Sequence, residues 1–273
     1  MTEMGSSAQV SPQSAANDRS GPEVEILPLT KGDILAVLGA GLRDFRAAPL
    51  FGLCIGGFYT VGGWLLILLL VRFDLPFLVY PLAAGFALIA PFIATGFYAI
   101  SRNLERNQPL SWGGVWGSVW SASKRDLGWM ALVTGFSLFI WMDIAALLFF
   151  GFLGLNALSA PELLNQILTT PAGLMFLVVG HGVGAVLAFA VFSFSVTSFP
   201  MLFDRDVDFV TAMITSVKVV SRNRLAMVIW CLTIAALIGL SLLSGLVALP
   251  VVLPILGYAS WHLYRRALSD DRA

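Results

Sequence analysis

Charge, histidine and cysteine are all scarce in this sequence. Only 12% of the 273 residues are charged, against about 25% in an ordinary soluble domain. The sixteen basic and sixteen acidic residues cancel, so no basic excess points to nucleic acid as a partner. Cys54 and Cys231 lie within apolar runs and form no CxxC pair. We expect both to be small buried hydrophobic residues rather than a disulfide or a metal site.

The sequence also lacks the common motifs of catalysis. It contains no GxSxG, HExxH or P-loop pattern, and no nucleophile–base set can be named from it. We therefore expect a non-enzymatic protein with no catalytic residue, no cofactor-binding residue and no metal ligand.

Apolar residues, in contrast, make up 58% of the chain, and the mean hydropathy is +0.86. Several uncharged stretches reach the ~20 residues that cross a bilayer as a helix. The pattern predicts an all-α, polytopic membrane protein with the lipid bilayer around it. Six transmembrane helices are expected, at residues 49–71, 77–100, 128–150, 172–199, 225–243 and 246–264. Only "LSG" separates the last two, so one long segment with a re-entrant end is the alternative.

The chain divides into one membrane domain and two tails. Residues 1–30 are predicted to be a disordered tail, because their first part is rich in Ser, Ala, Gly and Pro. This part has neither a basic n-region nor an apolar h-region, so we do not expect a cleaved signal. The membrane domain is predicted to cover residues 31–268, and a short tail covers residues 269–273.

The basic residues predict the orientation of the chain. With six spans, fifteen of the sixteen Lys and Arg residues fall on the side of the termini, and Arg72 alone falls on the other side. Such an asymmetry is typical of cytoplasmic loops. We therefore expect a multi-pass protein with both termini in the cytoplasm.

Three arginines, Arg43, Arg125 and Arg222, each stand just before an apolar run. Apolar residues stand five and nine positions before each arginine, whereas small or polar residues stand seven and eleven positions before it. This helical spacing predicts an amphipathic surface helix, followed by basic residues that hold the entry of the next span. The alternative is that any span with basic flanks looks similar.

Each predicted unit is a surface helix followed by two spans. Two spans return the chain to its starting side, so the three units share one orientation and form parallel repeats. The predicted units cover about 31–110, 111–206 and 207–268.

The loop after the third span has a pattern of its own. Ser159 stands three residues before Glu162, which is the spacing of a capping box. This predicts a short helix on the outer interface, as a connector; a lid over a cavity is the alternative. Thr170 and Pro171 are expected to start the fourth span.

Three segments resemble a known family: "GFYAISRNLERNQPLS" at 96–111, "SFPMLFDRDVDFVTAMITSVKVV" at 198–220 and "LPILGYASWHLYRRAL" at 253–268. They are similar to the bacterial predicted integral membrane proteins of domain-of-unknown-function family 2189, over roughly residues 30–268. The resemblance implies an inner-membrane protein of a Gram-negative bacterium. The family has no established activity, so the resemblance lends no site residue.

Some relatives in that family carry labels that connect them with cytochrome oxidase. A haem–copper core needs several histidine ligands, and this chain has only His181 and His262, on different predicted spans. An oxidase core is therefore excluded, whereas an accessory role beside a respiratory complex stays open.

Asp143 and His181 are the ionisable residues deepest in apolar sequence. Each lies about nine residues from the outer end of its predicted span, roughly 13 Å at the helical rise. Burying such groups is costly, so a polar pair at one depth is a candidate functional site. The favoured alternative is structural: an Asp–His hydrogen bond, or a protonated Asp143 that donates to a backbone carbonyl.

Three acids alternate in "FDRDVDF": Asp204, Asp206 and Asp208. An EF-hand loop would need glycine and a final acid where Phe209 and Thr215 stand, so calcium binding is not expected. We expect the acids to cap the third surface helix. A polar surface for a partner protein is the alternative.

The expected function is that of an accessory, assembly or scaffold protein that acts through its helix surfaces, with other membrane proteins as potential partners. The alternative is a transporter of small molecules or lipids that uses the region of Asp143 and His181. A polar cavity that reaches both residues would favour the transporter.

Overall fold

The computed structural model describes residues 25–72, 76–123, 126–154 and 160–269. Within these ranges the chain is all-α, and its only extended pairing is an isolated bridge between Ile26 and Leu268. The helices are α1 (Lys31–Ala47), α2 (Pro49–Val71), α3 (Pro76–Glu105), α4 (Trp112–Ser123), α5 (Leu127–Leu153), α6 (Ala160–Thr169), α7 (Pro171–Ser195), α8 (Ser198–Asp204), α9 (Phe209–Arg222), α10 (Arg224–Leu243) and α11 (Leu249–Ala267).

Local sequence explains where several helices begin. The Thr30 hydroxyl accepts from the backbone N–H of Asp33, and the Asp33 carboxylate accepts from the backbone N–H of Thr30, so a capping box starts α1. As predicted, Thr170 caps α7 and Pro171 is its first residue. The predicted connector helix is α6, although Ser159 lies outside the described residues.

Among the residues that the structure describes, four segments are long and apolar enough to cross a membrane: Pro49–Leu69, Leu127–Leu153, Pro171–Asp204 and Arg224–Leu243. They correspond to the first, third, fourth and fifth predicted spans. The second predicted span lies in α3, which continues to Glu105, and the sixth lies in α11, whose second half is rich in polar and basic residues.

Two boundaries differ from the prediction. The helix of the fourth span ends at Ser195, and the separate helix α8 begins at Ser198 after a turn. The last helix begins at Leu249, three residues after the predicted start of the sixth segment, because the chain turns at residues 244–248, where Gly245 and Leu246 have positive φ angles. The indole N–H of Trp64 in α2 donates to the carbonyl of Gly245 at 2.8 Å. The last apolar segment is therefore two helices joined by a tight turn.

The core of the molecule lies around α11. This helix packs against α1, α2, α3 and α10. Its large side chains Tyr258, Trp261 and Tyr264 are fully buried, and Gly257 lets the ring of Phe97 in α3 approach its backbone. Aromatic burial of this size makes α11 the central helix, because such rings bury 150–250 Å² each.

The three amphipathic helices pack in a common way. Helix α1 packs on α11, α4 packs on α3, and α9 packs on α7. The surface helix of the second unit thus lies on the second span of the first unit, and that of the third unit lies on the second span of the second unit. The surface helix of the first unit lies on the second span of the third unit, which closes the cycle. Between units, α3 contacts α5 and α11 contacts α2, whereas the fully described helices α7 and α10 make no comparable contact.

Candidate functional site

Asp143 lies at the centre of an exposed face of α5. It is an exposed side chain, and no hydrogen bond or ion pair joins it to another described residue. We call the exposed residues at alternating spacings of four and three on this face the α5 seam: Leu132, Phe136, Phe139, Asp143, Ala146 and Phe150. All except Asp143 are apolar, so a single carboxyl group stands in the middle of an apolar stripe.

His181 holds the matching position on α7. It is exposed, and its Nδ1 is 2.7 Å from the carbonyl oxygen of Leu177 in the same helix. If Nδ1 donates in this contact, Nε2 is left as an acceptor. The exposed residues at helical spacing around it form the α7 seam: Leu174, Val178, His181, Ala185 and Ala188.

The two seams are matched in depth but do not face each other. Asp143 stands ten positions before Leu153, where α5 ends, and His181 stands ten positions after Pro171, where α7 begins. Asp143 is therefore about 15 Å from the C-terminal end of α5, and His181 is about 15 Å from the N-terminal end of α7. Within α5 it is the side of Trp141, not that of Asp143, that packs on α7 at Gly184. The structure thus does not join Asp143 and His181 within one chain.

A groove of about 580 Å³ runs beside His181. Its walls are Trp141, Ala145, Leu148, Phe176, Leu177, Gly180, His181, Gly184, Ala185 and Ala188. Apart from the imidazole these side chains are apolar, and Asp143 is not among them. This groove does not have the polar walls that a route for a polar substrate requires.

His262 takes part in a polar cluster that the sequence did not reveal. Its Nε2 is 2.8 Å from an Asp44 carboxylate oxygen, and its Nδ1 is 3.5 Å from a Glu105 oxygen. The Ser101 hydroxyl donates to the same Asp44 oxygen at 2.6 Å. The cluster joins α1, α3 and α11, and we call the end of the molecule where it lies the polar end.

The polar end continues toward α8. Asp204 accepts a hydrogen bond of 3.0 Å from the Tyr264 hydroxyl and lies 3.9 Å from an Arg265 nitrogen. Arg205 donates to the Tyr264 hydroxyl and to the carbonyl oxygen of Ser269. Of the three alternating acids, Asp204 therefore binds the core of the molecule rather than capping a helix.

The polar cluster does not have the geometry of a catalytic triad. Ser101 is fully buried and donates to Asp44 instead of to His262, whereas a serine nucleophile needs its hydroxyl hydrogen-bonded to the base. Among the described residues, no group of three or more His, Cys, Asp and Glu side chains could hold a metal ion.

Asp208 is the acid that caps α9. Its Oδ1 accepts from the backbone N–H of Thr211 at 2.9 Å, and its Oδ2 accepts from the Thr211 hydroxyl at 2.6 Å. The bond from the Thr211 hydroxyl is the largest cause of a lowered pKa for this carboxyl group. Asp208 is thus the N-cap residue of α9. Asp206 is exposed in the loop before it.

Two of the three predicted entry arginines lie near the ends of amphipathic helices in the described residues. Arg43 is exposed in the last turns of α1, and Arg222 is the last residue of α9. Arg125 lies outside the described residues, just after α4 ends at Ser123.

An all-helical chain with several apolar helices of this length is an integral membrane protein. The model of a family described as "Predicted integral membrane protein (DUF2189)" matches residues 79–204. This segment runs from α3 to the end of α8 and contains both seams, and it is shorter than the range of 30–268 that the resemblance implied. No curated protein and no solved structure matches the chain significantly.

Proposed function

We propose that this chain is a non-enzymatic scaffold protein of the bacterial inner membrane, and that it assembles with a second copy of itself through the α5 and α7 seams. The observation that carries the proposal is the exposed carboxyl group of Asp143, in the middle of an apolar span and without a partner among the described residues. On insertion scales an acid at this depth costs about 2.5–3.5 kcal/mol. A partner that supplies a hydrogen bond removes part of that cost.

A second copy supplies the complementary group. Asp143 and His181 lie at the same depth and on exposed faces, so the α5 seam of one copy can pack on the α7 seam of the other. A two-fold axis along the membrane normal would form two Asp143–His181 contacts in one dimer, as an isologous interface requires. A polar residue at a central position of such a seam also fixes the register of the helices.

The shape of the α7 seam supports helix docking. Ala185 and Ala188 are small, and together with Gly180 and Gly184 they border the groove beside His181. Small residues allow close approach between transmembrane helices, where packing is a main driving force. The most apolar stretch of α7 contains no buried residue, so this surface is uncovered in a single copy.

A transporter is the less supported alternative, because the groove at His181 is apolar and does not include Asp143. We also propose that the chain has six spans in three parallel units, with both termini in the cytoplasm. The cyclic packing of α1, α4 and α9 on α11, α3 and α7 supports the three units.

A charge exchange tests the scaffold proposal. Two differently tagged copies are expressed in one membrane, extracted in mild detergent, and the fraction that co-purifies is measured. We expect Asp143→His and His181→Asp each to reduce co-purification, because each places two like groups at the contact. The double variant should restore it, because the Asp–His pair is re-formed in the opposite sense.

Thr233→Leu in α10 is the matched control, because it removes a polar group from a span outside the proposed interface. It should leave co-purification unchanged. A wild-type protein that never co-purifies with its second copy would overturn the proposal. A double variant as impaired as the single variants would show that Asp143 finds its partner in another membrane protein or not at all.

A further inference from the structure

Two cavities flank helix α4 at the polar end, and they differ in chemistry. One is a cleft of about 490 Å³ with a polar and basic lining, and the other is a groove of about 820 Å³ with an aromatic lining. Gly117 lines both of them. The pair has the layout of a site for an amphiphile, with one cavity for a polar head and one for an apolar tail.

Arg102 gives the cleft its positive charge. Its guanidinium carbon lies 4.3 Å from the centre of the Phe203 ring, so a cation–π contact holds it between α3 and α8. On the opposite wall, the hydroxyls of Ser118 and Ser121 donate to the carbonyls of Gly114 and Gly117 at 2.9 Å each. Because their protons are used within the helix, their oxygens are available as acceptors.

The groove on the other side of α4 is lined by Phe92, Trp116, Gly117, Val119 and Trp120. Trp116 and Trp120 are 46% and 69% exposed. Indole rings in such positions lie at the boundary between headgroups and acyl chains. This boundary is where a phospholipid changes from polar to apolar.

Gly117 borders both cavities. A Cβ atom on this residue would meet nothing within 4 Å among the described residues, so the space beside it is open. We infer that α4 binds an anionic phospholipid of the phosphoglycerol type, with the phosphate at Arg102, the headgroup hydroxyls at Ser118 and Ser121, and an acyl chain against Trp116 and Trp120. This inference does not depend on the proposed assembly of two copies.

Tryptophan quenching tests the site. The full chain is reconstituted in bilayers that contain brominated phosphatidylglycerol or brominated phosphatidylcholine, and the relative binding constant is obtained from the quenching. We expect about a tenfold preference for phosphatidylglycerol, because only its headgroup has a net negative charge beside Arg102 and hydroxyls that can donate to Ser118 and Ser121. Arg102→Gln should remove most of the preference, Arg102→Lys should keep part of it, and Gly117→Leu should reduce it by filling the space that borders both cavities.

Arg43→Gln is the control, because it removes an arginine of α1 that lies outside the cleft. It should keep the full preference. In the Trp116→Phe and Trp120→Phe variants, the difference in quenching between the two lipids should disappear. This result would locate the acyl chain at these two rings. Circular dichroism shows whether each variant is folded. The Gly117→Leu variant tests the site without a change of charge.

Two results would overturn the inference. One is equal quenching by the two lipids in the wild-type protein. The other is release of brominated phosphatidylglycerol by millimolar inorganic phosphate with no effect of Gly117→Leu, which would mean that the cleft takes a free anion and that the groove takes no part.

Discussion

Asp208 illustrates how one side chain fixes a helix end at the residue scale. Its carboxylate accepts from the Thr211 amide and hydroxyl, and so satisfies one of the donors that the first turn of α9 leaves unpaired. Since the folded state lowers the pKa of Asp208, this contribution is present above the unfolded pKa of about 3.9. It is lost as the pH falls through the folded pKa.

We expect Asp208→Ala to destabilise the protein by about 1 kcal/mol at neutral pH, because an N-cap is removed. Asp208→Asn should cost less, because its amide oxygen still accepts the Thr211 amide. The measurement is the free energy of unfolding in detergent between pH 3 and pH 7. The difference between wild type and Asp208→Asn should shrink toward acid pH, and a constant difference would contradict the role of the charge.

At the scale of helices, the contact between α1 and α11 depends on close approach at Gly41. A Cβ atom there would lie 2.5 Å from the Ile255 carbonyl oxygen and 2.9 Å from the Ala259 nitrogen. Both are backbone atoms, so a rotamer change cannot relieve the clash. Helices α1 and α11 would have to move apart at this contact.

Gly41→Ala and Gly39→Ala should therefore change stability in opposite directions. Gly41→Ala should destabilise by about 1–3 kcal/mol, as overpacking does. At Gly39 the Cβ would meet only the far end of the Arg43 side chain, at 3.8 Å. Gly39→Ala should thus stabilise by up to about 1 kcal/mol through helix propensity. Equal effects on the melting temperature would show that α1 does not pack tightly on α11.

At the scale of the whole molecule, the proposed orientation in the membrane rests on the sorting of basic residues. Helices α1 and α8 and the last turn of α11 meet at the polar end. The last turn of α11 carries Arg265 and Arg266. Arg72, in contrast, follows the last residue of α2. The six-span proposal therefore places the polar end in the cytoplasm.

Reporter fusions test this orientation. A fusion at Asn156, which stands between α5 and α6 in the sequence, should give an external signal, and a fusion after residue 273 should give a cytoplasmic one. The positive-inside asymmetry is the physical reason. An external C-terminus would contradict six spans and would also move Arg265 and Arg266 to the wrong side.

Hydrophobic periodicity and local capping signals by themselves determined most of the helices. The apolar run 49–71 is α2, Thr170 and Pro171 start α7, and Asp208 starts α9. These features depend on residues within one or two turns of each other, so the order of the residues is enough to predict them.

Tertiary structure alone decided which polar side chains meet. His262 and Asp44 are 218 positions apart, and Ser101 and Asp44 are 57 apart, so no local pattern connects them. Asp143 and His181 have the same depth, which the sequence does show, but depth does not give the direction of a side chain around its helix. That direction depends on the side of α5 that packs on α7. The packing leaves both residues exposed, because the helices meet through Trp141 and Gly184.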